Sequence, residues 1–255
     1  MGQGLWTGRS NDLSRMNLRD LAAAFVRTGA VQLYVLLALA SAAAAALMTS
    51  NSGRTALAAL VMLPIYPFAE YLIHRFILHN RALYRLPVTA ASWKRIHFDH
   101  HQDPLKLDVL FGAVWTTLPM ILLLTIPTGF AVDGIAGAAA AFAAGLVLFT
   151  NYEFCHCLQH LNYTPKSTIL RRMKQLHLAH HFHNERGNFG IVVFWIDRLF
   201  GTFYPSPAAV PRSATTFNLG YDRAEAERYP WVAALTGAPP KDRPSDGAAS
   251  LNGTF

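Results

Sequence analysis

The chain alternates between long uncharged stretches and polar, histidine-bearing ones. Four stretches carry almost no charge: between Arg27 and Arg54, from Thr55 to Ile73 with Glu70 as its one ionisable group, between Asp108 and Asp133, and between Asp133 and Glu153. Each approaches the ~20 residues that cross a hydrocarbon core. The pattern predicts spans near 30–49, 55–73, 109–131 and 134–152. Pro64 and Pro67 fall in the second and Pro119 and Pro127 in the third. Kinks are expected there, because neighbouring helices can satisfy the carbonyls a proline frees. Ahead of the first span, residues 12–27 read as a short helix with Leu18, Leu21 and Phe25 on one face and Arg15 and Arg19 on the polar side, a pattern suited to the headgroup layer. Thr164-Pro165 reads as a helix start, with Leu170 and Met173 continuing a stripe that reaches His177.

Three regions follow. Residues 1–29 form a cytoplasmic N-terminal segment with the interfacial helix, 30–204 a membrane domain, and 205–255 a C-terminal tail. From Gly237 the tail is rich in Pro, Gly, Ser and Ala and is expected to be disordered.

Lysine and arginine set the orientation. Arg9, Arg15, Arg19 and Arg27 precede the first span, and only Arg54 separates the first from the second. Arg75, Arg81, Arg85, Lys94, Arg95 and Lys106 lie between the second and third, none between the third and fourth, and Lys166, Arg171, Arg172 and Lys174 after the fourth. The positive-inside rule then places both termini and both long polar segments in the cytoplasm. The same bias accounts for the net charge of +7. No basic-aromatic motif accompanies it, which argues against nucleic-acid binding. Hydrophobic residues make up 52% of the chain and charged residues 15%, where soluble domains carry nearer a quarter charged. Cys155 and Cys157, two apart on one helix, point apart and form no disulfide framework, as suits a reduced compartment.

All eleven histidines fall in two polar segments on the cytoplasmic side of this topology. They group as His74-x4-His79, His97-x2-His100-His101, His156-x3-His160 and His177-x2-His180-His181, with His183 left over. Residues three and four apart share a helix face. His97, His100 and His101 are therefore expected to converge, as are His156 with His160, and His177 with His180 and His181. Five residues turn an α-helix by about 500°, so His74 and His79 share no α-helical face. Either the helix ends between them or they serve different metals.

Ten imidazoles exceed what one ion can use. Divided between two ions they give about five each, which suits iron's near-octahedral habit, whereas a closed zinc site needs four ligands. His156-Cys-Leu-Gln-His160 lacks the glutamate of a metalloprotease H-E-x-x-H, and a metal transporter would hold its ligands near mid-membrane. Glu70, Glu153 and Asp99 are candidates to hydrogen-bond the far nitrogen of a ligating imidazole; Asp103 and Asp197 rank lower.

Together with His180-His181-Phe-His-Asn, Asn188-Phe189-Gly190 and Trp195-Ile-Asp197-Arg-Leu-Phe-Gly201-Thr202, the four histidine groups make the stretch from Pro67 to Tyr204 resemble the fatty acid hydroxylase/sterol desaturase superfamily. The x4, x2, x3, x2 spacing is most similar to its fatty acid 2-hydroxylase branch; carotenoid ring hydroxylases usually show x4 in the third group. The resemblance implies an all-α membrane protein of about four transmembrane helices, capped by a cytoplasmic helical domain that holds two metal ions. It implies His74, His79, His97, His100, His101, His156, His160, His177, His180 and His181 as ligands, with no counterpart for His183. It further implies two iron ions, with zinc in a purified sample a sign of exchange, and O2 as co-substrate. The expected activity is hydroxylation of an acyl chain of a fatty acid or membrane lipid. Electrons are expected from a separate ferredoxin or cytochrome b5 type protein, since no cytochrome b5-like domain precedes the first span. A sterol- or carotenoid-type desaturase or hydroxylase is the alternative enzyme, and a non-enzymatic metal-binding membrane protein the alternative of another class.

Overall fold

A computed structural model describes residues 12–242. Among these the protein is helical, and its only β contact is an isolated bridge between Asp12 and Lys106. Three helical segments are long and apolar enough to cross a membrane: Gly29–Met48, Ser52–Leu78 and Leu107–His160. The third is 54 residues long, about 80 Å as one rod, well over twice a hydrocarbon core. It does not run straight. Asp133 and Gly134 leave helical geometry, and Gly134 at φ +53°, ψ −140° holds a conformation that only glycine adopts cheaply. The two halves return against each other: a Cβ on Gly129 would meet the Gly137 carbonyl oxygen at 2.2 Å, and one on Gly145 would meet Thr125 at 2.4 Å. Small residues thus let the helices approach closely, as packing inside lipid favours. Arg54 closes the turn by donating to the Val132 carbonyl at 2.6 Å.

The chain divides into two compact units. One comprises Ala22–Ala69 and Gly112–Phe154 and holds the greater part of the apolar helices; Tyr34, Ala38, Ile121, Phe142, Leu146 and Phe149 form its core. The other comprises residues 12–21, Glu70–Phe111 and the chain from Cys155 onward. It contains all ten histidines of the four groups, and Tyr84, Trp93, Phe98, Leu219, Tyr221 and Val232 form one of its cores.

Three expectations change in detail. The helix expected over 12–27 is shorter, Leu18–Arg27; its Leu21 and Phe25 are buried within the protein while Leu18 is exposed, and Phe25 packs edge-on against Phe154. The helix expected from Thr164-Pro165 instead starts at Thr168, capped by Ser167. The Pro165 carbonyl is occupied by the Arg171 guanidinium, and the Leu161 and Tyr163 carbonyls by the Lys174 ammonium, so this stretch is held as a loop. Residues 205–242 do not trail away. They carry the helices Arg223–Arg228 and Trp231–Thr236, and Trp231 donates to the Tyr84 carbonyl at 2.9 Å. Disorder was expected from Gly237, yet Lys241 exchanges two hydrogen bonds with the buried Gln102. Residues 1–11 and 243–255, including the rest of that stretch, lie outside the described residues.

Candidate metal centre

The histidine groups sit where helices meet or end. Met62–Ile73 runs into a π-helix at His74–Leu78, closed by the His79 N–H bonding the His74 carbonyl at 3.2 Å. Pro87–Trp93 likewise runs into a π-helix at Lys94–Phe98 and then into Asp99–Gln102. His156 and His160 end the long helix, and His177, His180 and His181 lie in the last turns of Thr168–Phe182. The first π-helix resolves the His74–His79 spacing. A residue bonded i to i+5 lies one turn above its partner, so a gap of five puts both on one side. Of the two alternatives raised by the α-helical count, the first holds, since the helix ends at Leu78 with His79 as its C-cap, and the second does not, since the two rings share one cluster.

The ten imidazoles form two groups of five. His74, His79, His97, His101 and His180 make the first; His100, His156, His160, His177 and His181 make the second. Within each group one nitrogen per ring lies within 4.8 Å of every other. Both H-x-x-H-H motifs split. His97 and His101 go to the first group and His100 to the second, while His177 and His181 go to the second and His180 to the first. A helical i,i+4 pair faces one centre while the residue between them, about 100° away from its neighbour, faces the other. The expected convergence of each motif on one point is thus corrected to two against one. The groups touch where His101 stacks on His181, ring centres 4.1 Å apart.

The distances bear on what the groups could hold. His97 Nε2 lies 3.2 Å from His74 Nε2, 3.0 Å from His79 Nε2 and 3.0 Å from His101 Nε2. In the second group His156 and His100 approach at 2.9 Å and His160 and His177 at 2.8 Å, Nε2 to Nε2. One ring nitrogen cannot hydrogen-bond three others, since each neutral imidazole has a single N–H. A shared cation would account for the convergence. With metal–nitrogen bonds of about 2.1 Å, ligands at right angles stand about 3.0 Å apart and tetrahedral ones about 3.4 Å, so these spacings suit five- or six-coordination. The residues present therefore fit a pair of divalent transition-metal ions. Nine of the ten rings are buried and His79 is half-buried. Burial first, then repulsion from neighbouring imidazoles, pulls His79, His97, His100, His177 and His181 well below the ordinary imidazole range, and burial takes His101 and His180 down to about 3. The rings are neutral at pH 7, the form that binds metal.

Three of the ten rings hold a backbone carbonyl with the far nitrogen, whereas Nδ1 of His100, His160, His177 and His181 has no partner within the protein. His74 Nδ1 donates to Phe189 O at 2.5 Å, His101 Nδ1 to Thr216 O at 2.8 Å and His180 Nδ1 to Gly187 O at 2.8 Å. Phe189 lies in the Asn188-Phe189-Gly190 run singled out above, while no motif marks the Gly187 and Thr216 carbonyls. Each carboxylate singled out in the sequence has at least one partner outside the histidine groups. Glu70 accepts from the Ile191 N–H at 3.2 Å, Asp99 pairs with Lys94 at 2.7 Å, and Glu153, in the other unit, accepts from the Gly112 N–H at 3.4 Å. His183 stands apart from both groups and donates to the Val210 carbonyl at 2.8 Å. Cys155 and Cys157 form no disulfide and belong to neither group.

Comparison with known proteins adds to this geometry. Residues 59–202 match a family model described as fatty acid hydroxylase. The ceramide very long chain fatty acid hydroxylase SCS7 of Saccharomyces cerevisiae is 30% identical over 141 residues, 54% of this chain and 36% of that one. The fatty acid 2-hydroxylase of Rattus norvegicus is 28% identical over 149 residues, 56% of this chain and 38% of that one. The dihydroceramide fatty acyl 2-hydroxylase FAH1 of Arabidopsis thaliana is 28% identical over 144 residues, 54% of this chain and 56% of that one. The matched region thus spans between about a third and a little over half of these relatives. The structure of full-length scs7p, in which only the hydroxylase domain is visible, matches with a TM-score of 0.58 at 22% identity, covering 82% of this chain and 84% of that chain. At that identity the likeness is one of fold.

Proposed function

The chain belongs to the fatty acid hydroxylase family, and from that premise we propose that it is a membrane-embedded, O2-dependent di-iron enzyme that hydroxylates an acyl chain of a fatty acid or membrane lipid. The observation that carries this reading is the pair of touching five-histidine groups. Ten all-nitrogen donors around two positions exceed the needs of a structural zinc site. They match what removal of hydrogen from an unactivated carbon demands, since no side-chain acid or base can take a proton from a saturated C–H bond. When bound, two redox-active ions supply electrons to O2 and so provide the oxidant. Zinc, which has no redox chemistry, would not serve.

The chain's own residues do the rest. Carbonyls of Gly187, Phe189 and Thr216 set the tautomers of His180, His74 and His101, so that each ring turns Nε2 toward its group. Burial keeps the imidazoles neutral and limits water at the centre. The first histidine group begins at the end of the apolar segment Ser52–Leu78, and the third lies at the end of Leu107–His160. An acyl chain entering from the bilayer would meet the centre at that depth. The polypeptide crosses the bilayer four times in this reading, with the long third segment forming two crossings that turn at Asp133-Gly134, and the metal centre faces the cytoplasm. Reducing equivalents come from a separate ferredoxin or cytochrome b5 type protein. The relatives named as 2-hydroxylases favour carbon 2 of the acyl chain as the position oxidised. Comparing the lipids of cells with and without the gene tests substrate and position together. A hydroxylated acyl species, with the hydroxyl located by fragmentation at carbon 2, is the expected gain; an unchanged acyl pool with altered sterols or carotenoids would overturn the assignment.

A further inference from the structure

The segment Gly187–Ile191 belongs to no helix, yet most of its polar atoms are hydrogen-bonded. Asn188 sits at φ +54°, a conformation asparagine tolerates, and its side-chain amide both donates to the Tyr204 carbonyl at 3.0 Å and accepts from the Tyr204 N–H at 3.1 Å. The Asn188 N–H donates to the Thr202 carbonyl at 3.0 Å. The next N–H groups meet carboxylates: Phe189 donates to Asp197 Oδ1 at 2.8 Å, Gly190 to Asp197 Oδ2 at 2.9 Å, and Ile191 to Glu70 at 3.2 Å. Asp197 is fully buried, at 0% exposure, and also accepts from the Thr202 hydroxyl at 2.8 Å. Its family of contacts explains why a charged group is tolerated there, because three donors satisfy it.

Two peptide groups in this segment have both ends occupied, Gly187–Asn188 and Phe189–Gly190, and only the second has a carboxylate at its N–H. The N–H of the Phe189–Gly190 peptide donates to Asp197, and the C=O of the same peptide accepts from His74 Nδ1. Asp197, the peptide and His74 therefore form an unbroken chain of hydrogen bonds. Metal-ligating histidines commonly donate their second N–H to a carboxylate, which fixes the ring and raises its basicity. Here the carboxylate acts one peptide away. An anion at the N–H end polarises the peptide and makes its carbonyl a stronger acceptor.

We propose that Asp197 is a positioning residue for the first histidine group, acting on His74 through the Phe189–Gly190 peptide as a relayed carboxylate–histidine pair. This rests on the reading that the two groups hold two metal ions. The connection is specific to one group: the same segment orients His180 through Gly187 O, and both rings belong to the first group. Asp197→Asn is nearly isosteric but cannot accept at both positions, so an amide NH2 would face a backbone N–H or the Thr202 hydroxyl.

The test is iron retention by the purified full-length protein under a graded chelator challenge, counted as ions per chain. The native protein should hold two. Asp197→Asn should release one ion about 10- to 100-fold more readily, the usual effect of losing an outer partner of a ligand. Combined with His101→Ala it should release no further ion than His101→Ala alone, whereas combined with His100→Ala it should release both. A role confined to general folding would weaken both ions alike, and that outcome, or unchanged retention, would overturn the inference. If Asp197→Asn does not fold, Thr202→Val removes one of the three donors and should shift the same ion in the same direction by a smaller factor. A native protein that holds no transition metal would overturn the metal-centre reading itself, a result distinct from any failure confined to Asp197.

Discussion

Two adjacent residues of one motif, His100 and His101, point into different groups, and replacing each with alanine should remove a different ion. His100 packs against His181, His156 and His160 with ring centres 4.4, 4.5 and 4.6 Å away. His101 places Nε2 3.0 Å from His97 Nε2 in the other group. An outer hydrogen-bond partner is worth about 10- to 100-fold in metal affinity, so a direct ligand is worth at least about 100-fold, or about 2.8 kcal/mol. The metal-free proteins should also differ. His101→Ala strands the buried Thr216 carbonyl, at a cost of about 1–3 kcal/mol. His100 Nδ1 has no hydrogen-bond partner within the protein, so His100→Ala carries no such penalty. The assay is ion stoichiometry under chelator challenge, with thermal melting of the stripped proteins alongside. Each single variant should keep one tightly held ion, and stripped His101→Ala should melt below stripped His100→Ala. The decisive comparison uses pairs, because residues serving one site are not additive. His100→Ala with His181→Ala should still keep one ion, while His100→Ala with His101→Ala should keep none. Loss of both ions from the same-group pair, or retention of one by the cross-group pair, would refute the division of the motif.

Three further outcomes are expected. Reporter fusions after residues 52 and 133 should read outside the cytoplasm and those near 90 and 205 inside it; a cytoplasmic reading at 133 would break the four-crossing arrangement. Stripped of metal, the protein should lose stability as pH falls from about 6.5, the ordinary imidazole value, toward about 3, where His101 and His180 titrate in the fold. In that window the unfolded chain binds more protons than the folded one, so stability rises with pH and is complete above it; a melting temperature that stays flat down to pH 4.5 would contradict the burial argument. Arg171→Glu with Arg172→Glu should slow turnover with an acidic electron donor and flatten its salt dependence, as expected of complementary charge at a docking face. An unchanged rate and salt response would leave these arginines their bonds to the Pro165 and Pro205 carbonyls and a part in topology.

The apolar helices and the histidine motifs were legible in the sequence because both are local patterns. A run of some twenty uncharged residues or a spacing of three and four states its own geometry. The π-turn at His74–Leu78 was not, since an α-helical count assumes 3.6 residues per turn and gives no sign of the extra residue. The division of each H-x-x-H-H between two centres also needed the packing, because adjacency on one helix does not say which neighbour each face meets. Backbone partners were out of reach for a different reason. Phe189 O and Thr216 O lie 115 residues along the chain from His74 and His101, respectively, and any residue type can present a carbonyl. That explains why Glu70, Glu153 and Asp99 drew attention first, while Asp197, acting through a peptide, ranked low. The stretch after Tyr204 reads as a tail by its prolines, yet Thr216 within it orients a histidine of the first group.

The central claim is that two histidine-held metal ions direct oxygen from O2 into a lipid acyl chain. Single turnover under 18O2 tests it most directly: the purified, iron-loaded protein in lipid vesicles, chemically reduced, with its acyl products examined by mass spectrometry. One 18O atom should enter the acyl chain as a hydroxyl, and none should enter when His100 and His101 are both alanine. A hydroxyl carrying oxygen from water, or no oxygenated acyl product from protein that holds two iron ions, would contradict the account.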